Sequence, residues 1–265
     1  MYNNQLLSIA IEASIKAGKA IMEIYESNDL GIKVKGDKSP LTKADLAADR
    51  IIEDFLVKTD IPILSEEGKD IPYETRKNWN YLWIVDPIDG TKEFINKNGE
   101  FTVNIALIKN QKTVLGVVYA PAIDELYFSS EENGSFKANN ISHLQLDEIY
   151  KSAKSLPIKS KKNKYTVVAS RSHMSSETET YISNLRREHG EVELISKGSS
   201  LKIVMVAEGI ADCYPRFAPT MEWDTAAGQA ICEHAGFNVI DWDTKETMKY
   251  NRKELLNNWF LVKKN

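Results

Sequence analysis

A chain of 265 residues, 42% hydrophobic and 27% charged, has the make-up of a globular protein of one large or two modest domains with ample core, which excludes a disordered or fibrous polymer. Its net charge of −4 argues against a broad nucleic-acid-binding surface, and no apolar run approaches the roughly 18 residues of a membrane span. Cys213 and Cys232 have neither metal-type nor redox-type spacing and read as reduced, buried thiols of a cytoplasmic protein.

Leu6, Ile9, Ala10, Ala13, Ala17, Ala20, Ile21 and Ile24 recur at helical spacing, which predicts one helix over residues 4–27. Glu12 and Lys16 interrupt it, so it reads as amphipathic and not as a signal peptide. In "GDKSPLTKADLAADRIIEDFLVK", Thr42 and Asp45 have the spacing of a capping pair at the head of a second helix. "IPILSEEG" predicts a short strand ending in acid, and the continuous apolar run of "YLWIVD" predicts a buried strand. Phe101, Val103, Ile105 and Leu107 alternate with polar or small residues, the pattern of a half-buried strand. "TVLGVVYAPAIDELYFSSEENGSFKANN" then reads as strands separated by turns at Pro121 and Asn133-Gly134.

Residues 151–164, "KSAKSLPIKSKKNK", are basic and mostly polar and read as a linker between a lobe over 1–155 and a lobe over 156–265. Beyond them short strands and helices alternate: "YTVVAS", "SSETETYISNLRREHG", "VELIS", "SSLKIVMVAEG", "ADCYPRF" and "WDTAAGQAICEHAG". The whole is an α/β (α+β) chain, a layered sandwich of helices and sheets in two lobes.

Acids gather at element ends. Asp86 is expected where the "LWIV" strand ends, Pro87 stops any helical continuation there, and Asp89 follows one turn on. Glu66 and Glu67 end another apolar strand, and Asp224 precedes a helix of small residues. Each has a plain structural reading: Asp-Pro and Asp-Gly are turn dipeptides, Asp224 is a helix N-cap, and the paired glutamates form a solvated loop. Taken together, acids at three junctions suit Mg²⁺ or Mn²⁺, which prefer hard oxygen ligands. The four histidines (143, 173, 189 and 234) show no zinc-type spacing. Gly90-Thr91, at a helix start beside these acids, adds an anion-friendly site, and a divalent cation next to a phosphate is what phosphate-ester chemistry needs.

The motifs "SEEG", "DPIDGT" and "WDTAAGQAICEHAG" resemble those of the lithium-sensitive, Mg²⁺-dependent phosphomonoesterases, the superfamily of inositol monophosphatases and fructose bisphosphatases. "SPLTKAD", "DPIDGTKEFINKNGEFTVNIALI", "GVVYAPAIDELY", "SRSH", "GSSLK" and "VAEGIADCYPRF" are most similar to its CysQ-type 3'(2'),5'-bisphosphate nucleotidase branch. The resemblance implies a layered αβαβα sandwich. It makes Glu66, Asp86, Asp89, Asp224 and the Ile88 carbonyl metal ligands, with Glu66 also catalytic. Asp45 would accept from the Thr91 hydroxyl, and Thr91 would orient and help deprotonate the attacking water. Gly90 and Thr91 would hold phosphate oxygens through backbone N–H groups, with Asp89 and Asp224 also touching substrate. His173, Ser199, Lys202 and Arg216 would recognise a second phosphate, with Tyr214 and Phe217 flanking Arg216.

From the residues alone, Thr42-Asp45 remains a capping box, Lys202 a solvated helix residue, His173 a loop residue, and Ser199 or Ser200 an N-cap. Which serine meets substrate is open. The implied reaction converts adenosine 3',5'-bisphosphate to AMP and phosphate, and relatives also accept the sulfated nucleotide, which links them to sulfur assimilation. Inhibition by Li⁺ and by excess Ca²⁺ is expected. The implied partner is a small phosphorylated nucleotide and no nucleic-acid polymer. The protein would be a monomer or homodimer without an integral membrane segment, cytoplasmic, some relatives lying at the inner face of the membrane. An inositol monophosphatase-like enzyme is the nearest rival, and a non-catalytic metal- or phosphate-binding regulator is the rival of another class.

Overall fold

In the computed structural model, which describes residues 2–27, 29–36, 39–158, 162–169 and 175–264, the apolar stripe of the N-terminal segment forms helix α1 (Tyr2–Tyr25). A small antiparallel hairpin, β1 (Lys33–Val34) and β2 (Pro40–Leu41), leads into α2 (Lys43–Leu56). The first large sheet has seven strands in chain order. They are β3 (Ile63–Ser65), β4 (Tyr81–Asp89), β5 (Thr102–Lys109), β6 (Lys112–Ala120), β7 (Glu125–Ser130), β8 (Gly134–Asn139) and β9 (Lys154–Ser155). Short helices interrupt them: α3 (Tyr73–Arg76), α4 (Thr91–Ile95) and α5 (Leu146–Ser152). β3 pairs parallel with β4, and the later neighbours are antiparallel.

The second half builds β10 (Tyr165–Ala169), α6 (Ser176–His189), β11 (Val192–Ser196), α7 (Leu201–Glu208), β12 (Cys213–Arg216), α8 (Glu222–His234), β13 (Phe237–Asp241) and β14 (Phe260–Lys264). Its five strands are ordered β11-β10-β12-β14-β13. The stretch 151–164 is linker only in part, because α5 runs to Ser152 and Lys154–Ser155 add β9 to the edge of the first sheet.

Three buried clusters define five layers. Leu6, Ala10, Ala13 and Ala17 of α1 and Ala48 and Ile52 of α2 pack on Trp83, Val103, Ile105, Val117 and Phe128 from one face of the seven-stranded sheet. Leu82, Ile84, Ala106 and Val118 from its other face meet Val204 and Ala207 of α7, Ala227 and Ile231 of α8, and Val168, Val239 and Val262 of the second sheet. Val167, Cys213 and Leu261, on the outer face of that second sheet, are covered by Ile182 and Leu185 of α6. The order is helices, sheet, helices, sheet, helix, the αβαβα sandwich. Both cysteines are buried free thiols. No helix among the described residues is long and apolar enough to cross a membrane.

One strand departs from its sequence pattern. β5 is buried on both faces up to Ile108, not half-buried. Its second face carries Thr102, Asn104 and Ala106, and α8 covers that side with small residues. Closeness is possible because Gly116 stands opposite Ala106 in the sheet. A Cβ at Gly116 would lie 2.5 Å from the Ala227 carbonyl oxygen and 2.7 Å from the Ala230 Cβ. A methyl there has to lift α8 off the sheet, because the obstructing atom is helix backbone. Gly116→Ala is therefore expected to cost about 2–3 kcal/mol, a fall of roughly 5–10 °C in Tm by thermal denaturation. An unchanged Tm would show that the helix can shift freely at this contact.

Candidate active site

The acidic centre is built at the end of β4. The strand does not end at Asp86: β4 runs on through Pro87 to Asp89, with Asp86 opposite Asn104 and Asp89 opposite Thr102. Three steps on β4 face two on β5, so the strand bulges, and the missing N–H of Pro87 falls where ladder pairing is already broken. Ile88 points the other way, into the core beneath α1 and α2, and pins the bulge. Its N–H donates to Asp86 Oδ1 at 3.0 Å.

Asp224 comes from the far side. It lies in the first turn of α8, where its Oδ2 accepts from the Met221 N–H at 2.8 Å. It is thus a helix cap and a site carboxylate at once. Asp86, Asp89 and Asp224 offer oxygens that all lie within 4.8 Å of one another. Burial, reinforced by Glu66, Asp89, Asp224 and Asp45, drives the Asp86 carboxyl well above its ordinary range. Burial and Asp89 push Asp224 up to about 8. Three converging carboxylates with no cysteine or histidine among them suit a hard divalent cation such as Mg²⁺ or Mn²⁺ and not zinc.

Glu66 lines the same cavity, of about 470 Å³, with Asp86, Ile88, Asp89, Thr91 and Asp224. Its Oε1 accepts from Lys35 Nζ at 2.9 Å, and Lys35 also pairs with Glu67. Lys35 belongs to the chain of the β1–β2 hairpin and was not anticipated. "IKVKGDKSP" holds three lysines, and nothing local marks Lys35 as the one that reaches the acids. Burial pushes the Glu67 carboxyl up to about 7 even against the opposing pull of Lys35.

The Asp45 alternatives turn out to be compatible. Its Oδ2 accepts from the Thr42 N–H at 2.7 Å and from the Thr42 hydroxyl at 2.6 Å, closing the capping box at the head of α2. Its other oxygen, Oδ1, accepts from the Thr91 hydroxyl at 3.3 Å, and the Ile88 carbonyl lies at the same distance from that hydroxyl. Burial raises the Asp45 carboxyl above its usual range although the Thr42 bonds oppose it.

A second cavity, of about 360 Å³, shares Asp89, Gly90, Glu93, Thr220 and Asp224 with the first. Ser199, Ser200, Lys202, Tyr214 and Arg216 also line it. The two serines differ. Ser200 Oγ lies 2.7 Å from Asp89 Oδ2 and 2.7 Å from the Asp224 carbonyl oxygen, and accepts from Asn104 Nδ2 at 2.9 Å. It is committed to the acidic centre, a role the sequence did not signal, as was that of Asn104. Ser199 Oγ is buried without a partner, and so is Arg216 Nε. Lys202 is buried rather than solvated, and its Nζ donates to the Ser199 carbonyl at 2.7 Å. Burial, aided by the Arg216 charge, lowers its ammonium to about 8 despite Asp89. Phe217 turns away, against Trp242 and Trp259. His173 lies outside the described residues.

The raised acids set a pH signature in metal-free protein. Asp224 near 8 and Glu67 near 7 titrate above the roughly 4 of an unfolded carboxyl. As pH falls through these values the folded state takes up protons that the unfolded chain does not, so stability rises on acidification. Lys202, lowered to about 8, opposes this between pH 8.5 and about 7 but is outweighed by the two carboxyls, and His234, buried and lowered to about 4, opposes it only below about pH 6.5. In chelator, Tm is expected to rise from pH 8.5 to 6.5 by the equivalent of about 1–2 kcal/mol. Asp224→Asn should be more stable than the parent at pH 8.5 and show a flatter profile. A Tm that falls over this interval would contradict the crowding of these acids.

Comparison with known proteins agrees with this geometry. The family model described as the inositol monophosphatase family matches residues 3–264. The 3'(2'),5'-bisphosphate nucleotidase CysQ of Shigella flexneri is 43% identical over 97% of this chain and 99% of its own. That of Escherichia coli K12 is 42% identical over the same shares. The crystal structure of CysQ from Bacteroides thetaiotaomicron superposes with a TM-score of 0.91 at 49% identity, covering 98% of this chain and 97% of that one. With the match running across nearly its whole length, the chain belongs to the inositol monophosphatase family.

Proposed function

We propose that the chain is a Mg²⁺-dependent 3'(2'),5'-bisphosphate nucleotidase that converts adenosine 3',5'-bisphosphate and water to AMP and phosphate. The sulfated nucleotide is a second substrate of the same cavity, which places the reaction in sulfur assimilation or nucleotide recycling. The observation that carries this reading is the shared wall. An acidic centre suited to a cation opens, across Asp89 and Asp224, onto a cavity with a buried ammonium and an unpartnered guanidinium N–H. A substrate with two anionic groups on one ribose fits that pair of compartments, whereas a single phosphate uses one only. In this division the lobe over 1–155 supplies the reacting centre, and the lobe over 156–265 supplies Asp224 and the recognition groups.

The residues assign the steps. Asp86, Asp89, Asp224, Glu66 and the Ile88 carbonyl would hold the divalent cation, which polarises the phosphoryl oxygen and makes the attacking water more acidic. Thr91 Oγ1 accepts a proton from that water as its own proton moves to Asp45 Oδ1, 3.3 Å away. Asp45 suits this role because burial makes it a stronger base than a solvated carboxylate, while Thr42 fixes its second oxygen. Glu66, held by Lys35, faces the same water from the opposite wall. The water oxygen bonds to phosphorus, the P–O bond to the ribose 3'-oxygen breaks, that oxygen takes a proton from solvent to give AMP, and Asp45 returns its proton to solvent once the phosphate has left. Gly90 and Thr91, where β4 hands over to α4, present backbone N–H groups to the phosphate oxygens. Lys202, Arg216 and the Ser199 hydroxyl bind the 5'-phosphate, which gives Arg216 Nε and Ser199 Oγ the partner they lack and the buried Lys202 ammonium a counter-charge.

The test is phosphate release from adenosine 3',5'-bisphosphate and from inositol 1-phosphate at equal Mg²⁺, with a chelated control. kcat/KM is expected to favour the nucleotide by roughly 10-fold or more, the scale of one added charged contact. Preference for the inositol ester would overturn the substrate assignment, and metal-independent release would overturn the chemistry. In the same assay Asp86→Asn should lose on the order of 10²–10³ in kcat with the fold intact by circular dichroism, comparable to removing one preorganised transition-state contact. A variant that retains turnover would remove Asp86 from the site.

A further inference from the structure

Glu100 lines neither cavity, yet it touches the wall between them. It precedes Phe101, which is anchored in the core against Tyr25 and Phe94 at ring distances of 5.0 and 5.2 Å. From this fixed base its carboxylate reaches the turn ahead of α7. Oε2 accepts from the Gly198 N–H at 2.9 Å, and Oε1 pairs with Lys197 at 3.4 Å. Its backbone fits the same turn: a Cβ at Gly198 would lie 2.6 Å from the Glu100 carbonyl oxygen. A Cβ at Gly90 would lie 3.2 Å from that same oxygen and 3.3 Å from Ser199 Cβ. One residue thus braces the two glycines that border the acidic centre and the second cavity.

Ser199 sits between Gly198 and Ser200, and its backbone is left-handed at φ +45°, a conformation a serine seldom adopts unless its surroundings impose it. Its hydroxyl is buried without a partner. Neither feature persists by local preference, so both ends of the turn have to be held. Ser200 holds the downstream end through Asp89, the Asp224 carbonyl and Asn104. Glu100 holds the upstream end.

We infer that Glu100 is a specificity-positioning residue: by seating Gly198 it holds Ser199 in the wall of the second cavity and fixes the Ser199 carbonyl that orients Lys202. The anchors at the two ends are separate, so their losses have separate consequences. Without Glu100 the upstream half of the turn relaxes while Ser200 stays pinned to the acids. Recognition of the second phosphate weakens, and hydrolysis of an ester with a single phosphate does not. The inference rests on the nucleotidase reading of the cavity.

Glu100→Ala and Glu100→Gln are compared with the parent on adenosine 3',5'-bisphosphate and on adenosine 3'-monophosphate, which keeps the base, ribose and scissile bond but lacks the 5'-phosphate. In Glu100→Ala the KM for the bisphosphate is expected to rise about 10-fold or more, with kcat within about threefold and the monophosphate constants within about twofold of the parent. Glu100→Gln keeps an oxygen for the Gly198 N–H and should recover most of the selectivity, because the Lys197 pair it gives up is half-exposed and weak. An unchanged ratio in Glu100→Ala, or an equal loss on both substrates, overturns the inference and leaves Glu100 a stabilising residue. A parent enzyme with no preference for the bisphosphate overturns the nucleotidase reading itself, a result distinct from either.

Discussion

Crowding of like charges governs this molecule. Carboxylates within 4.8 Å of one another in a half-buried pocket repel, and in a pliable chain they would separate. They stay because each is tied to a different rigid support. Asp86 and Asp89 flank a bulge whose middle residue, Ile88, is buried in the core. Asp224 is fixed to Met221 at the head of a helix pressed on the sheet at Gly116. Without a cation the folded protein relieves the repulsion by binding protons, and Lys35 gives part of the same relief to Glu66 and Glu67. Repulsion in the empty pocket and affinity for a divalent ion are then two aspects of one arrangement.

Helix α8 shows how stability and function are coupled. It is the middle layer, in contact with both sheets, and its first turn brings Asp224 to the site. A segment from near the C-terminus holds that turn. Glu222, fully buried, accepts from the Asn251 and Arg252 N–H groups at 2.6 and 3.0 Å and from Arg252 Nε at 3.2 Å. Asn257 Nδ2 reaches Met221 O, Thr225 Oγ1 and Thr220 Oγ1 at 2.7, 3.0 and 3.1 Å. Removing one partner from so buried a charge leaves the other uncompensated, a loss of several kcal/mol. Errors at residues 251–257 therefore reach the acids, through the buried contacts behind α8 as well as through Leu256, which lines the acidic cavity.

The sequence made the layers legible because their signals are local. The stripe of α1, the Thr42-Asp45 box and the turns at Pro121 and Gly134 each depend on neighbours in the chain. What depended on distant partners was not. Alternation in β5 suggested one wet face, but its dry second face comes from α8, more than a hundred residues away. Asp86 looked like the end of its strand because the bulge that carries β4 on to Asp89 is defined by the partner strand. The acids were visible because residue type and position at strand ends restrict what they can do. Lys35, Asn104 and Glu100 were not, since a lysine, an asparagine or a glutamate is ordinary until the fold supplies what it touches.

Sharing Asp89 and Asp224 between two cavities joins chemistry to recognition through the fewest intermediates. Ser200 is the junction, bonded to both aspartates through oxygens the cation need not use, and followed at once by Lys202 in α7. The start of α7 and the supports of the acids are therefore one connected piece of structure. The opposite end of α7 is anchored too. Glu208, its last residue, is held by Lys137 at 3.0 Å and Tyr127 at 2.8 Å, both from the seven-stranded sheet. With that end fixed to the sheet and the other tied to the acids through Ser200, α7 is held at both ends between the core and the second cavity.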